Sequence, residues 1–297
     1  MAFDDPTLAC MGFFQSLRES SPEIVTSFFR LVSEPAVYVY IPIAVSAWLL
    51  WFRDRRSGDM LMLNLLSAMC VNGFLKAIVN QPRPWVRDRS LLESLSGTHS
   101  GGSSFPSAHV SASAAGYGTL ALIIGRRLLA LLPLVMIALI AFSRLYLGVH
   151  TPLEVIAGIL VASIVIVINL RLLELSERSD AWFWRVSIGY IAFFAVICPA
   201  AVLIGGWRSG STTLAMALVF GYLIGRMVMH RSPCPSFGSR GIYDILYLVA
   251  GFVLPAILLL IMPMAAGKEA GYVIAGAFTG LWISLFYPMV LGRVSSR

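Results

Sequence analysis

The sequence predicts an all-α polytopic membrane helical bundle of about nine transmembrane helices, and three observations carry that expectation. First, a chain of 297 residues that is 58% hydrophobic and 12% charged, with a mean hydropathy of +0.81, holds more apolar surface than a water-soluble core can hide. Second, nine apolar stretches reach the roughly 18 to 25 residues that cross about 30 Å of hydrocarbon. They cover approximately 35–52, 60–80, 106–124, 128–147, 151–170, 182–204, 211–228, 242–264 and 268–291. Third, Arg gathers in alternate loops between them.

Residues 1–34 precede the first stretch. Asp4 and Asp5 stand where a cleaved signal would be positive, so no signal peptide is expected. Residues 7–33 mix Phe13, Phe14, Ile24 and Phe28 with Glu19, Glu23 and Arg30, which reads as an amphipathic segment at the outer interface. Residues 35–204 hold every candidate site residue, and 205–297 add further helices that match no motif, expected as structural helices or a homodimer surface. The loop from Arg231 to Gly238 reads as a turn.

The loops with Arg53, Arg55 and Arg56, with Arg126 and Arg127, with Arg171, Arg178 and Arg185, with Arg226, Arg231 and Arg240, and with Arg293 and Arg297 hold thirteen of the 22 basic residues. By the positive-inside rule they face the cytoplasm, with the N-terminus outside and the C-terminus inside. The other nine, Arg18, Arg30, Lys76, Arg83, Arg87, Arg89, Arg144, Arg208 and Lys268, lie on the outer side. The net charge of +7 is spread over membrane-flanking loops, so it points to lipid headgroups and the bilayer and not to nucleic acid. Cys10, Cys70, Cys198 and Cys234 show no CxxC spacing, so neither a disulfide framework nor a zinc site is expected, and no metal or other cofactor is called for.

An ionisable group at membrane depth costs several kcal/mol unless paired or hydrated. Such groups fall in three clusters, all at outer ends of stretches two to five. In the first, Lys76 and Arg83 are seven positions apart, about two turns and some 10 Å on one face if the helix persists, and Pro82 and Pro84 follow. In the second, Pro106, Ser107, Ala108 and His109 open a helix whose free backbone N–H groups suit an anion; Ser107 adds a hydroxyl and His109 a proton donor. The small residues from Ser111 to Gly118 suit close helix packing. In the third, Ser143 and Arg144 precede His150, Thr151, Pro152 and Glu154. Thr151, Pro152 and Glu154 fit N-cap, N1 and N3 of a helix, so Glu154 is either a capping glutamate or the acceptor of the His150 Nδ1 proton. Each cluster alone also has a plain reading: a snorkelling Lys76, a capping Ser107, an interfacial His109. Together they supply what metal-free phosphoryl transfer needs, cations for the equatorial oxygens and imidazoles for attack and leaving-group protonation.

The pattern Lys76-x6-Arg83-Pro84, Pro106-Ser107-x-His109 and Ser143-Arg144-x5-His150 resembles the type 2 phosphatidic acid phosphatase superfamily. The resemblance implies a helical membrane phosphatase without metal that acts on a lipid phosphate or pyrophosphate. It also implies a phosphohistidine on His150, protonation by His109, and phosphate contacts from Lys76, Arg83, Ser107 and Arg144. Two positions depart from the pattern: Ala108 replaces a common Gly, and Glu154 stands where the family has an aspartate. Nine crossings with an outside N-terminus look like the larger members, glucose-6-phosphatase and the sphingosine-phosphate phosphatases. A bacterial inner membrane is the expected location. The alternatives are a phosphatase for a soluble ester, or a transporter or binding protein that keeps the phosphate pocket without turnover. The loop from Gln81 to Phe105, with Trp85, Arg87, Glu93 and His99, is expected as a lid or polar wall, and Trp85 as an interface-belt residue.

Overall fold

A computed structural model describes residues 6–88, 91, 102–205, 210–231 and 241–295. Asp4, Asp5, Arg89, Glu93, His99, Arg208, Cys234, Arg240 and Arg297 lie outside the described residues, as does the turn expected after Arg231. Helices α1 (Pro6–Ser20) and α2 (Glu23–Val32) lead into the first apolar stretch. There a π-helical turn (Ala36–Tyr40), α3 (Ile41–Trp48) and a second π-helical turn (Leu49–Arg53) follow without a break. Next come α4 (Arg55–Val79), the short α5 (Pro84–Arg87), α6 (Ala108–Ile124), α7 (Arg127–Tyr146), α8 (Pro152–Ser176) and α9 (Asp180–Gly205). The chain ends with α10 (Gly210–Val228), α11 (Ile242–Ala265), and α12 (Lys268–Leu281), which runs through a π-helical turn (Trp282–Phe286) into α13 (Tyr287–Ser295). The described residues contain no strand. In hydrocarbon every backbone N–H and C=O needs an internal partner, and a helix supplies one within its own segment.

Each of the nine predicted stretches carries a helix, and seven helical segments are long and apolar enough to cross a membrane. The shorter two are Ala108–Ile124 and Thr212–Val228. The first has a clear physical reason: α6 is the central helix, in contact with α4, α7 and α8, and every residue from His109 to Tyr117 is buried. Its length answers to neighbouring helices and not to lipid. Its small side chains do what the sequence suggested, since a methyl group on Gly116 would stand 2.9 Å from Pro42.

The C-terminal helices pack on the same core. Methyl groups on Gly221 and Gly280 would run into the backbone oxygens of Ala277 and Leu218, so α10 and α12 cross with their backbones in contact. A buried network ties α10 to α4 and α9. Arg226 Nε donates to Asp59 Oδ2 at 3.2 Å and Nη1 to Ser187 Oγ at 3.2 Å, and the Tyr222 hydroxyl donates to Asp59 Oδ1. The thiols of Cys70 and Cys198, far apart in sequence, hydrogen-bond to each other and form no disulfide.

The amino-terminal helices do more than the amphipathic reading allows. α1 and α2 lie against α7, and Arg18 and Thr26 are buried there, while Phe13, Ile24, Phe28 and Leu31 point outward. The polar groups serve the bundle, because the end of α7 offers hydrogen-bond partners that water would otherwise have to supply.

Candidate active site

Antiparallel neighbours bring four helix ends to one end of the bundle: the C-terminal ends of α4 and α7 and the N-terminal ends of α6 and α8. All three sequence clusters sit on those ends. The Asp59–Arg226 network sits at the other end of the bundle, near the start of α4 and the close of α10.

One premise about the first cluster is corrected. The helix does not persist from Lys76 to Arg83: α4 stops at Val79, and Asn80 takes a left-handed conformation (φ 44°, ψ 40°). Asn tolerates that region where most side chains do not, and the following prolines exclude helix. The chain therefore turns, and the two cations converge from different directions. Lys76 Nζ donates to the Ser103 carbonyl at 2.5 Å, and Arg83 Nε to the Gly102 carbonyl at 3.2 Å. Of the expected lid or wall, residues 81–88 and 102–105 are bonded into the site. Trp85 is half-buried and packs against Tyr146, Leu147 and Val149.

The second cluster opens α6. Ser107 occupies the N-cap position, but its hydroxyl makes no capping bond and, fully buried, has no hydrogen-bond partner among the described residues. Its backbone N–H donates to the Glu154 carbonyl at 3.0 Å. Gly158 makes that approach possible, because a methyl group there would stand 2.8 Å from the Ser107 oxygen. Ala108 begins the helix, whose first-turn N–H groups have no partner within it. His109 is buried, its imidazole 4.2 Å from the Tyr38 ring at a 33° tilt.

The third cluster answers the either-or over Glu154 with both. Its Oε2 accepts from the Thr151 backbone N–H at 3.1 Å, completing the capping box, and faces His150 Nδ1 at 2.9 Å. The Ser104 hydroxyl donates to the same oxygen at 2.5 Å, and Arg87 Nη2 donates to Oε1 at 2.6 Å. On the other side of the ring, Arg83 Nη1 lies 3.1 Å from His150 Nε2 and also donates to the Val149 carbonyl at 2.9 Å. A guanidinium can only donate, so Nε2 is the acceptor and the proton is on Nδ1, facing the carboxylate. Burial first, then the charges of Arg83, Lys76 and Arg144, and then His109, hold His150 well below the ordinary histidine range. The ring is thus a neutral imidazole, with its Nε2 lone pair facing the Arg83 guanidinium. Arg144, entirely buried, lies within electrostatic reach of Arg83, Tyr38 and Glu34.

The candidate site residues Lys76, Arg83, Ser107, Ala108, His109, Arg144, His150 and Glu154 therefore all lie at this end of the bundle. Sequence reasoning missed Ser104, Tyr38 and Arg18 and gave Arg87 no role at Glu154. Arg87 alone left a local trace: it follows Arg83 by four positions across a helix-starting Pro84. The others come from distant segments and carry no signal at short range.

Residues 60–178 match the PAP2 superfamily. The matched segment covers less than half of the chain. It contains all three motif clusters, from Lys76 to Glu154. The chain is also similar to a protein of Sulfolobus acidocaldarius named undecaprenyl-diphosphatase, at 36% identity over 129 residues, which are 42% of this chain and 59% of that protein. The chain thus spans less than two thirds of the length of that relative. No solved structure matches it. Among the described residues no three His, Cys, Asp or Glu side chains cluster as metal ligands would. The polar groups that meet around His150 are those of Arg83, Lys76, Arg144, His109 and Glu154, with Arg87 and Ser104 on Glu154.

Proposed function

We propose that the chain is an integral-membrane phosphatase that hydrolyses a lipid phosphate or pyrophosphate through a phosphohistidine, at the extracytoplasmic face. The observation that carries this reading is the state of His150: proton on Nδ1 against Glu154, lone pair on Nε2, cations around it. An imidazole so held is a nucleophile aimed at a phosphoryl group. The PAP2 match and the name of the relative support the substrate class.

In the first step the Nε2 lone pair forms a bond to phosphorus while the bond from phosphorus to the leaving oxygen breaks, and His109 gives that oxygen its proton. Arg83 exchanges its contact with Nε2 for a phosphoryl oxygen. Lys76, Arg144, the Ser107 hydroxyl and the first backbone N–H groups of α6, beginning at Ala108, take the remaining charge. In the second step water attacks phosphorus, His109 takes its proton, and the P–N bond breaks to release phosphate. Glu154 holds the Nδ1 proton throughout and balances the transient positive charge on the ring.

The test is phosphate release by detergent-purified protein from isoprenyl phosphates and pyrophosphates, phosphatidic acid, sphingoid phosphates and glucose-6-phosphate. His150→Ala should cut turnover at least about 10³-fold, and an alkaline quench should trap acid-labile label on His150. Label on another residue, or release that survives His150→Ala, would remove the proposal. Best turnover of glucose-6-phosphate would move the substrate class to soluble esters.

A further inference from the structure

The matched domain begins at residue 60, yet four contacts at the site end of the bundle come from residues 18 to 38. Arg18 Nη1 donates to the Leu147 carbonyl at 3.0 Å. Thr26 Oγ1 and the Tyr146 hydroxyl are 2.9 Å apart, and Ser33 Oγ and Ser143 Oγ are 2.7 Å apart, next to Arg144. The Tyr38 ring lies over the imidazole of His109. All four of these amino-terminal side chains are buried.

We propose that residues 18 to 38 are a working part of the active site: Tyr38 is a positioning residue for His109, and Arg18 for the turn that carries His150. This deepens the phosphatase reading and rests on it.

Tyr38 belongs to the π-helical turn Ala36–Tyr40, whose wider winding re-aims side chains relative to an α-helix. That turn is pinned to α6, because the Tyr117 hydroxyl donates to the Val37 carbonyl at 2.6 Å. Tyr38 and His109 are therefore referenced to the same helix. The terminal torsion of a histidine is broad, and a ring held at 4.2 Å on one face restricts the imidazole plane. A general acid works only with its proton within hydrogen-bond reach of the leaving oxygen, so loss of the ring should weaken protonation more than binding.

Arg18 acts at the other histidine. Leu147, Gly148 and Val149 link α7 to His150, and Gly148 has φ +74°, where a side chain would be strained. A methyl group there would stand 3.0 Å from Arg18 Nη1, so the guanidinium fills the space the glycine leaves. The carbonyls of Leu147 and Val149 are held by Arg18 and Arg83, one from outside the matched domain and one from within it. A cation at the C-terminal end of α7 is also favoured by the helix dipole.

A packing role and a positioning role separate by leaving group. The full chain is assayed on a long-chain alkyl phosphate, whose leaving oxygen needs a proton, and on a nitrophenyl phosphate with the same chain, whose phenolate leaves unprotonated. Tyr38→Leu should lose about 10- to 100-fold on the alkyl ester, part of the general-acid effect, and little on the aryl ester. Tyr38→Phe should match wild type, and Tyr38→Met, which keeps the bulk without the ring, carries the same test if Tyr38→Leu does not fold. His109→Ala sets the reference. Equal losses on both esters, or none, in Tyr38→Leu or Tyr38→Met while His109→Ala discriminates would overturn the Tyr38 assignment alone. Equal losses in His109→Ala would overturn the acid role of His109 and this inference with it. Arg18→Met should slow single-turnover phosphoenzyme formation about tenfold on both esters, within the range that misplacing a nucleophile costs, with partial rescue by Arg18→Lys. An unchanged single-turnover rate would overturn the Arg18 assignment.

Discussion

One carboxylate organises the chemistry at the scale of single residues. Glu154 meets His150 Nδ1, the Thr151 N–H and the Ser104 hydroxyl with one oxygen and Arg87 with the other. The resembled pattern has an aspartate at this position, and the extra methylene does not leave this side chain loose, because partners from three segments hold both oxygens. Each hydrogen bond to a charged group contributes roughly 1.5–3 kcal/mol, and removing one partner leaves a buried polar atom. Glu154→Gln keeps the size but loses the charge and one acceptor. Turnover should then fall about 10²- to 10⁴-fold, the range set by a wrong tautomer or a lost counter-charge, with KM changed little. Steady-state kinetics beside a melting curve checks it: a lower melting temperature with unchanged turnover would leave Glu154 a cap alone. The sequence narrowed Glu154 to two roles but could not choose, because both use the same i to i+3 and i+4 spacing from Thr151 and His150. Only Arg87 and Ser104, brought in by the fold, show that the roles coincide.

At the scale of helices, local sequence located the rods well and their exits less well. Apolar length places a helix in each of the nine predicted stretches, since backbone satisfaction in lipid leaves few other solutions. The exit of α4 was legible only in part: Pro82 and Pro84 mark an end to the helix, but the left-handed turn already at Asn80, which brings Lys76 and Arg83 to the Ser103 and Gly102 carbonyls, was not. At the far end of α4, Asp59, Tyr222, Arg226 and Ser187 join helices from the matched domain to those beyond it. Breaking a buried ion pair from one side costs about 3–5 kcal/mol, while replacing both partners with apolar groups can be nearly neutral. Asp59→Asn should therefore lower the unfolding midpoint in detergent markedly, and Asp59→Leu with Arg226→Met should recover much of the loss. Equal destabilisation by the single and double variants would mean that the network is not what holds α10 to α4.

For the molecule as a whole, the prediction concerns metal. If the phosphoryl charge is met as proposed by Lys76, Arg83, Arg144 and backbone N–H groups, turnover should survive EDTA. A strict requirement for an added divalent cation in the phosphate-release assay would contradict that. The sequence by itself determined the class of the molecule and its chemical inventory. Composition forces a membrane bundle because so much apolar surface has no other solvent, and the motif residues name their chemistry by functional group. What only the tertiary structure decided is geometry between distant segments: Tyr38 over His109, Arg18 on the turn before His150, Arg87 and Ser104 on Glu154. Helical periodicity carries information over a few turns, whereas these contacts depend on how rods many residues apart come to lie side by side, and side-chain packing alone settles that.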